Sequence, residues 1–124
     1  IALDLPSDPV FVAGDRDELI QVFENLVQNA CKYGQEGKRV EVTLTPATTG
    51  QGAEVSIRDF GPGIADEHIP RLTERFYRVN VEASRSKKGT GLGLAIVKHI
   101  LTRHRARLIV KSEIGKGSVF TVRF

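Results

Sequence analysis

From Asp15 to Gly34 the chain reads DRDELIQVFENLVQNACKYG, with apolar residues at Leu19, Phe23, Leu26, Val27 and Ala30. That spacing predicts a helix with one buried stripe. Asp15 and Glu18 form a capping box at its start, and Gly34 suits a left-handed stop at its end. Before it, IALDL (1–5) and VFVA (10–13) predict two short strands around a Pro-bounded turn. After it, RVEVTLT (39–45) and AEVSIRDF (53–60) alternate with the period of strands, joined by a Thr/Gly-rich turn. The pattern fades from Gly61 to Lys88, apart from a short helix at 66–72. A stretch of that length inside a compact domain is usually a lid, a binding loop or disordered. GTGLGLAIVKHILTRH (89–104) then predicts a glycine-rich turn opening a second amphipathic helix. RLIVKSE and SVFTVRF close the chain as a hairpin around Gly115 and Gly117. Helices mixed with antiparallel hairpins predict an α/β (α+β) two-layer sandwich, with helices over one face of the sheet.

The polar positions of the first helix add a question. At about 100° per residue, Asn25, Asn29 and Lys32 fall on one line, nearly opposite the apolar stripe. A solvated face accounts for such a line, yet two mid-helix Asn cost roughly half a kcal/mol each relative to Ala. The helix alone leaves both readings open.

Composition changes the picture little. The 124 residues make one domain, and 40% hydrophobic with 27% charged is ordinary for a globular protein. No apolar run approaches the ~20 residues of a membrane span. The single cysteine, Cys31, permits no internal disulfide, fits a reducing compartment, and reads as a packing residue beside the apolar face. Methionine is absent even at the start, so a piece of a longer chain is expected. The net charge of +3 is concentrated in 71–88, where Arg71, Arg75, Arg78, Arg85, Lys87 and Lys88 face only Glu74 and Glu82. Charge confined to one loop suits a clamp on a small anion better than a groove for a polyanion.

Two stretches carry candidate chemistry. Val55, Ile57 and Asp59 share one strand face, so Asp59 points inward if the strand persists, and a buried carboxylate needs donors. Otherwise Asp59 merely starts the turn into Gly61-Pro62-Gly63. An inward Asp59 is an acceptor for an exocyclic amino group, as on adenine, and Gly61 and Gly63 let the backbone pass close to a flat ring. The run Gly89-Thr90-Gly91-Leu92-Gly93-Leu94 offers free amides ahead of a helix, an anion site suited to phosphates. It is neither a Walker A loop nor the dinucleotide pattern, and alone it equally describes a tight connection.

The order of these pieces resembles the catalytic, ATP-binding domain of bacterial sensor histidine kinases, in the superfamily that includes DNA gyrase, the Hsp90 chaperones and the MutL ATPases. ENLVQNACKY matches its N box, DFGPG its first glycine box, ERFYR its F box and GTGLGL its second glycine box. SEIGKGSVFTVRF matches the C-terminal hairpin, and the likeness spans essentially the whole chain. It departs at Arg105-Ala106, where many relatives carry glycines. The resemblance implies a Bergerat-type fold: a mixed, mostly antiparallel sheet under about three helices, with an ATP lid at about 64–90. It implies that Asn29 ligates Mg²⁺ and that Asn25 and Lys32 face the phosphates. It sets Tyr33 near the adenine or ribose, unless that is a plain core-edge tyrosine. Asp59 binds the adenine amino group; Gly61, Gly63 and Ile64 border the base. Arg78, with Arg75 second, reaches the terminal phosphate, and the 89–94 run cradles the chain. Arg85, Lys87 and Lys88, with His68, His99 and His104, are expected to be surface residues.

One residue speaks to the reaction. Hydrolysing relatives carry a Glu one helical turn before the Mg²⁺ Asn, as general base for water. Here that position is Asn25, which cannot take a proton at neutral pH, and Glu24 points about 100° away. The implied activity is a protein-histidine kinase of two-component signalling. The acceptor His belongs to an upstream dimerisation domain, and the phosphoryl passes on to a response regulator. The lid segment looks closest to phosphate-starvation sensor kinases. A cytoplasmic domain of a membrane-anchored sensor, monomeric in isolation and without nucleic acid, is expected. Two other readings remain, a non-catalytic ATP-sensing pseudokinase and a basic nucleic-acid-binding domain.

Overall fold

The structure, a computed structural model, describes residues 2–7, 9–33, 39–46, 52–75 and 93–124, with the backbone alone at Tyr33. Among the described residues five strands form one sheet: β1 (Ala2–Asp4), β2 (Val40–Pro46), β3 (Ala53–Asp59), β4 (Arg107–Glu113) and β5 (Gly117–Arg123), in the order β1-β2-β3-β5-β4. Of these strand pairs β1–β2 is parallel and the other three are antiparallel. Helix α1 (Arg16–Tyr33) is the crossover between β1 and β2, which is what a parallel pair requires. Helix α2 (Gly93–Arg103) precedes β4, and a 3-10 helix spans Asp66–Arg71. No helix among the described residues is long and apolar enough to cross a membrane.

One core lies between sheet and helices. Val22, Leu26 and Ala30 of α1, Val97, Ile100 and Leu101 of α2, Ile57, Phe120 and Val122 of the sheet, and Leu72 form a single buried cluster. Burying a side chain of this size stabilises by about 1.5–3 kcal/mol, which fixes the apolar faces of both helices. The outer sheet face is polar, with a Ser56–Thr121 hydroxyl pair and an Arg123–Glu54 ion pair across neighbouring strands.

Four expectations need correction. Residues 10–13 form no strand, and Phe11 is 84% exposed. The outer edge of β2 is taken by β1, so VFVA does not pair there. The capping box is half made: Asp15 Oδ1 accepts the Glu18 N–H at 3.0 Å, but Glu18 turns to Arg103, 2.8 Å away. Cys31 is exposed, because Leu26 and Ala30 set the buried face and Cys31 lies on its far side. His104 is half-buried: its Nε2 accepts the Asp15 N–H at 2.9 Å while Nδ1–H donates to Ile100 O at 2.8 Å. With Nε2 taken by the Asp15 amide, the ring hydrogen that Ile100 O accepts is the one on Nδ1. Gly14 has no room for a Cβ there, since His104 Cδ2 would lie 2.7 Å from it. This histidine therefore ties the start of α1 to the end of α2.

Helix α2 ends in a Schellman motif, Ala106 N–H to Leu101 O at 2.9 Å and Arg105 N–H to Thr102 O at 3.1 Å. The left-handed residue is Arg105, at φ 56, where glycine is usual. Arg105→Gly is expected to raise stability by about 0.5–1 kcal/mol by relieving the Cβ penalty. Urea unfolding checks this, and a loss of stability would assign a contact to the arginine side chain.

Candidate functional site

The connections bring three candidate segments to one end of the sheet. Asp59 closes β3 and pairs with Val40, the first residue of β2, and with Ser118 near the start of β5. Helix α1 begins at the His104 joint and ends seven positions before Val40. Its Asn29 and Lys32 therefore lie toward Asp59. Helix α2 turns tightly into β4, whose first residue Arg107 pairs with Arg123 at the opposite end of the sheet. The helix must run back along the sheet, so Gly93 at its start also lies toward Asp59.

Asp59 is the centre of this end. It is 5% exposed, on the same face as Ile57, so the strand persists and the carboxylate points inward. Gly61 N–H donates to Oδ1 at 3.0 Å. Burial pushes its pKa above the ordinary 3.8, and the Gly61 and Ser118 amides oppose that rise. Among the described residues its hydrogen bonds thus come from the backbone, which leaves acceptor capacity on the carboxylate.

The turn after Asp59 is stitched to the β4–β5 hairpin. Gly115 N–H donates to Pro62 O at 2.8 Å and Ile64 N–H to Ser112 Oγ at 2.7 Å. Gly63 and Gly117 have φ of 81 and 112, and a Cβ on them would overlap the carbonyl oxygens of Glu113 and Asp59. Ser112 and Ser118 were not among the expected site residues, and Gly117 was read only as a glycine of the final hairpin. The signal was present, because alternation places Ser118 with Phe120 and Val122 on the inward face of SVFTVRF.

Asn25, Asn29 and Lys32 are half-buried, whereas Glu24, Gln28 and Cys31 are exposed. The amide line therefore flanks the buried face and does not lie opposite it. Ile64 and Leu94 pack their side chains against the core, and Leu72 is buried, so the start of the 64–90 segment is anchored. Gly93 opens α2 with nothing within 4 Å of an added Cβ. Arg75 is exposed, His99 is exposed, and His68 is half-buried beside Glu67. Arg78, Gly89, Thr90, Gly91 and Leu92, with the helix stop at Gly34, lie outside the described residues, as does the Tyr33 side chain.

Comparison with known proteins agrees along the whole chain. Residues 14–124 match the model of the histidine kinase-, DNA gyrase B- and HSP90-like ATPase family. The phosphate regulon sensor protein PhoR of Pseudomonas aeruginosa is 50% identical over 125 residues, 100% of this chain and 27% of that protein. The sensor histidine kinase RppB of Synechocystis is 43% identical over 122 residues, 98% of this chain and 26% of its own. The chain thus spans about a quarter of the curated relatives it matches. Among solved structures, the mycobacterial sensor histidine kinase MprB superposes with a TM-score of 0.82 at 31% identity, covering 99% of this chain and 80% of that one. Full-length ShkA in complex with AMPPNP gives 0.80 at 30% identity, covering 98% of this chain and 24% of that one. The fold around Asp59 and these matches lead to one conclusion: the chain belongs to the histidine kinase-, DNA gyrase B- and HSP90-like ATPase family.

Proposed function

We propose that this domain binds Mg-ATP at the Asp59 end of the sheet and donates the γ-phosphoryl group to a histidine on a separate dimerisation domain. The observation that carries the reading is the inward, backbone-held carboxylate of Asp59, at the end of the sheet toward which the last turns of α1 and the start of α2 run. Such a carboxylate accepts from an adenine amino group, with Gly61, Gly63 and Ile64 bordering the base. Asn25, Asn29 and Lys32 face the phosphate chain, and Tyr33 borders adenine or ribose. Gly89, Thr90, Gly91, Leu92, Gly93 and Leu94 cradle the phosphates from the other side. Arg78, with Arg75, stabilises the charge on the transferred group.

The donor set fits Mg²⁺, a hard ion that takes oxygen ligands and keeps sites for phosphate and water. Among the described residues no group of three or more His, Cys, Asp or Glu stands together. The Asn29 side-chain oxygen would hold the ion, which when bound neutralises phosphate charge.

The chain's own residues supply positioning and no base for water. Asn25 stands where a hydrolase needs a carboxylate, and Glu24 is on the exposed side of α1. The histidine nitrogen attacks the γ-phosphorus in line, the bond to the β–γ bridging oxygen breaks, and ADP departs. A response regulator then receives the phosphoryl group. The likeness to PhoR supports a phosphate-sensing kinase, with this domain on the cytoplasmic side of an anchored receptor and monomeric alone.

Labelled ATP, this chain and the separately supplied dimerisation domain should yield acid-labile phosphohistidine on that domain. Rapid ATP hydrolysis by the chain alone, without transfer, would reverse the assignment. Asn29→Ala is expected to lower Mg²⁺-dependent ATP affinity on the order of 100-fold, since a first-hand ligand matters at least as much as its supports. Its thermal stability should hold, Ala being the better helix former. Calorimetry with unchanged affinity would remove Asn29 from the site.

A further inference from the structure

Ser112 lies on β4 directly opposite Ser118 of β5, and Ser118 lies directly opposite Asp59 of β3. The Ser112 hydroxyl meets three groups. Its oxygen accepts the Ile64 N–H at 2.7 Å, it lies 3.0 Å from Gly117 O, and Ser118 Oγ is 2.8 Å away. A serine hydroxyl has one hydrogen and two lone pairs. Gly117 O can only accept, so the Ser112 hydrogen goes there. Ile64 N–H can only donate. The contact with Ser118 must then be a donation from Ser118 to Ser112.

That assignment has a consequence for Asp59. Opposed residues on one sheet face have Cβ atoms about 4.5–5.5 Å apart, a gap that a serine hydroxyl and a carboxylate can bridge. Ser118 is 4% exposed, and among the described residues the acceptors beside its hydroxyl are Ser112 and Asp59. The geometry sends it to Ser112. Among the described residues Asp59 therefore keeps only the backbone donors of Gly61 and Ser118.

We propose that Ser112 is a positioning residue for base recognition: by taking the Ser118 proton and the Ile64 amide, it keeps the Asp59 carboxylate open to the amino group of a bound purine. The proposal rests on the Mg-ATP reading above. Removing the Ser112 hydroxyl frees Ser118 to donate to Asp59 and compete with the purine. The loss should fall on nucleotides that carry the amino group.

The test compares ATP with purine riboside triphosphate, which lacks that group, by calorimetry in Mg²⁺. Ser112→Ala is expected to weaken ATP about 10-fold and purine riboside triphosphate less than about 2-fold. Ser112→Thr, which keeps the hydroxyl, should retain the wild-type ratio. Adding Ser118→Ala to Ser112→Ala should recover most of the ATP loss, because no hydroxyl remains to occupy Asp59. Should Ser112→Ala not fold, Ser112→Cys keeps the volume with a weak donor and acceptor and reads the same ratio. Equal weakening of both nucleotides, or a double variant weaker than Ser112→Ala, would overturn the proposal and leave Ser112 a purely structural contact. Wild-type protein that binds neither nucleotide would instead remove the Mg-ATP reading beneath it.

Discussion

Asp59→Asn is expected to lower ATP affinity roughly 10- to 100-fold, because a hydrogen bond to a charged acceptor contributes about 1.5–3 kcal/mol. The substitution puts an amide nitrogen among donors: the Gly61 and Ser118 amides and the adenine amino group compete for one remaining oxygen. Purine riboside triphosphate should lose far less, and equal losses for the two nucleotides would count against the adenine contact. The same variant has a stability signature. The folded pKa of Asp59 is raised by burial, so the native state holds its proton more tightly than the unfolded chain. Stability contributed by this group is therefore greatest at low pH and falls as pH rises from about 3.8 through the raised value. Above that window a constant cost remains. Urea unfolding across pH 3–7 should show the wild type losing stability relative to Asp59→Asn over that interval. A difference of the opposite slope would mean that the amides outweigh burial.

Gly117→Ala should be the most damaging of the small substitutions, at about 3–4 kcal/mol, for two reasons acting together. Its φ of 112 is closed to a residue with a Cβ, and that Cβ would overlap the Asp59 carbonyl oxygen, a backbone atom with no rotamer to yield. Gly115→Ala is the control. It shares a positive φ, 85, but nothing lies within 4 Å of the added carbon, so about 1 kcal/mol is expected. Equal costs for the two, read by urea unfolding, would show that β3 moves aside freely. Because the strain falls on Asp59, folded Gly117→Ala should also bind ATP poorly.

Most elements were legible because periodicity reports directly on burial. Leu26 and Ala30 of α1, Ile57 of β3 and Phe120 and Val122 of β5 are buried where their spacing puts them. The inward direction of Asp59 followed from strand alternation once β3 proved to include it. What escaped depends on pairing between distant segments. Val10–Ala13 has strand composition, yet the place beside β2 goes to β1, and which segment takes an edge is a property of the sheet. Glu18 has the capping-box spacing, yet Arg103, 85 positions away, takes its carboxylate. His104 belongs to no motif and Ser112 only to the hairpin stretch; their roles exist only when α1 meets α2 and when the glycine turn meets the hairpin. In the site, the buried carboxylate was readable and the hydroxyl network beside it was not.

The joint at His104 lies at the end of the helix pair remote from Asp59, and this gives the pair a pivot. Helix α1 has 18 residues, a rod of about 27 Å at 1.5 Å each. A swing of about 5° at Gly14 and His104 moves its free tip by about 2 Å, roughly the scale on which a phosphate oxygen gains or loses a partner. With both rods fastened at that joint, any tilt of one against the other would be largest at the far tips, where Asn29 and Gly93 lie.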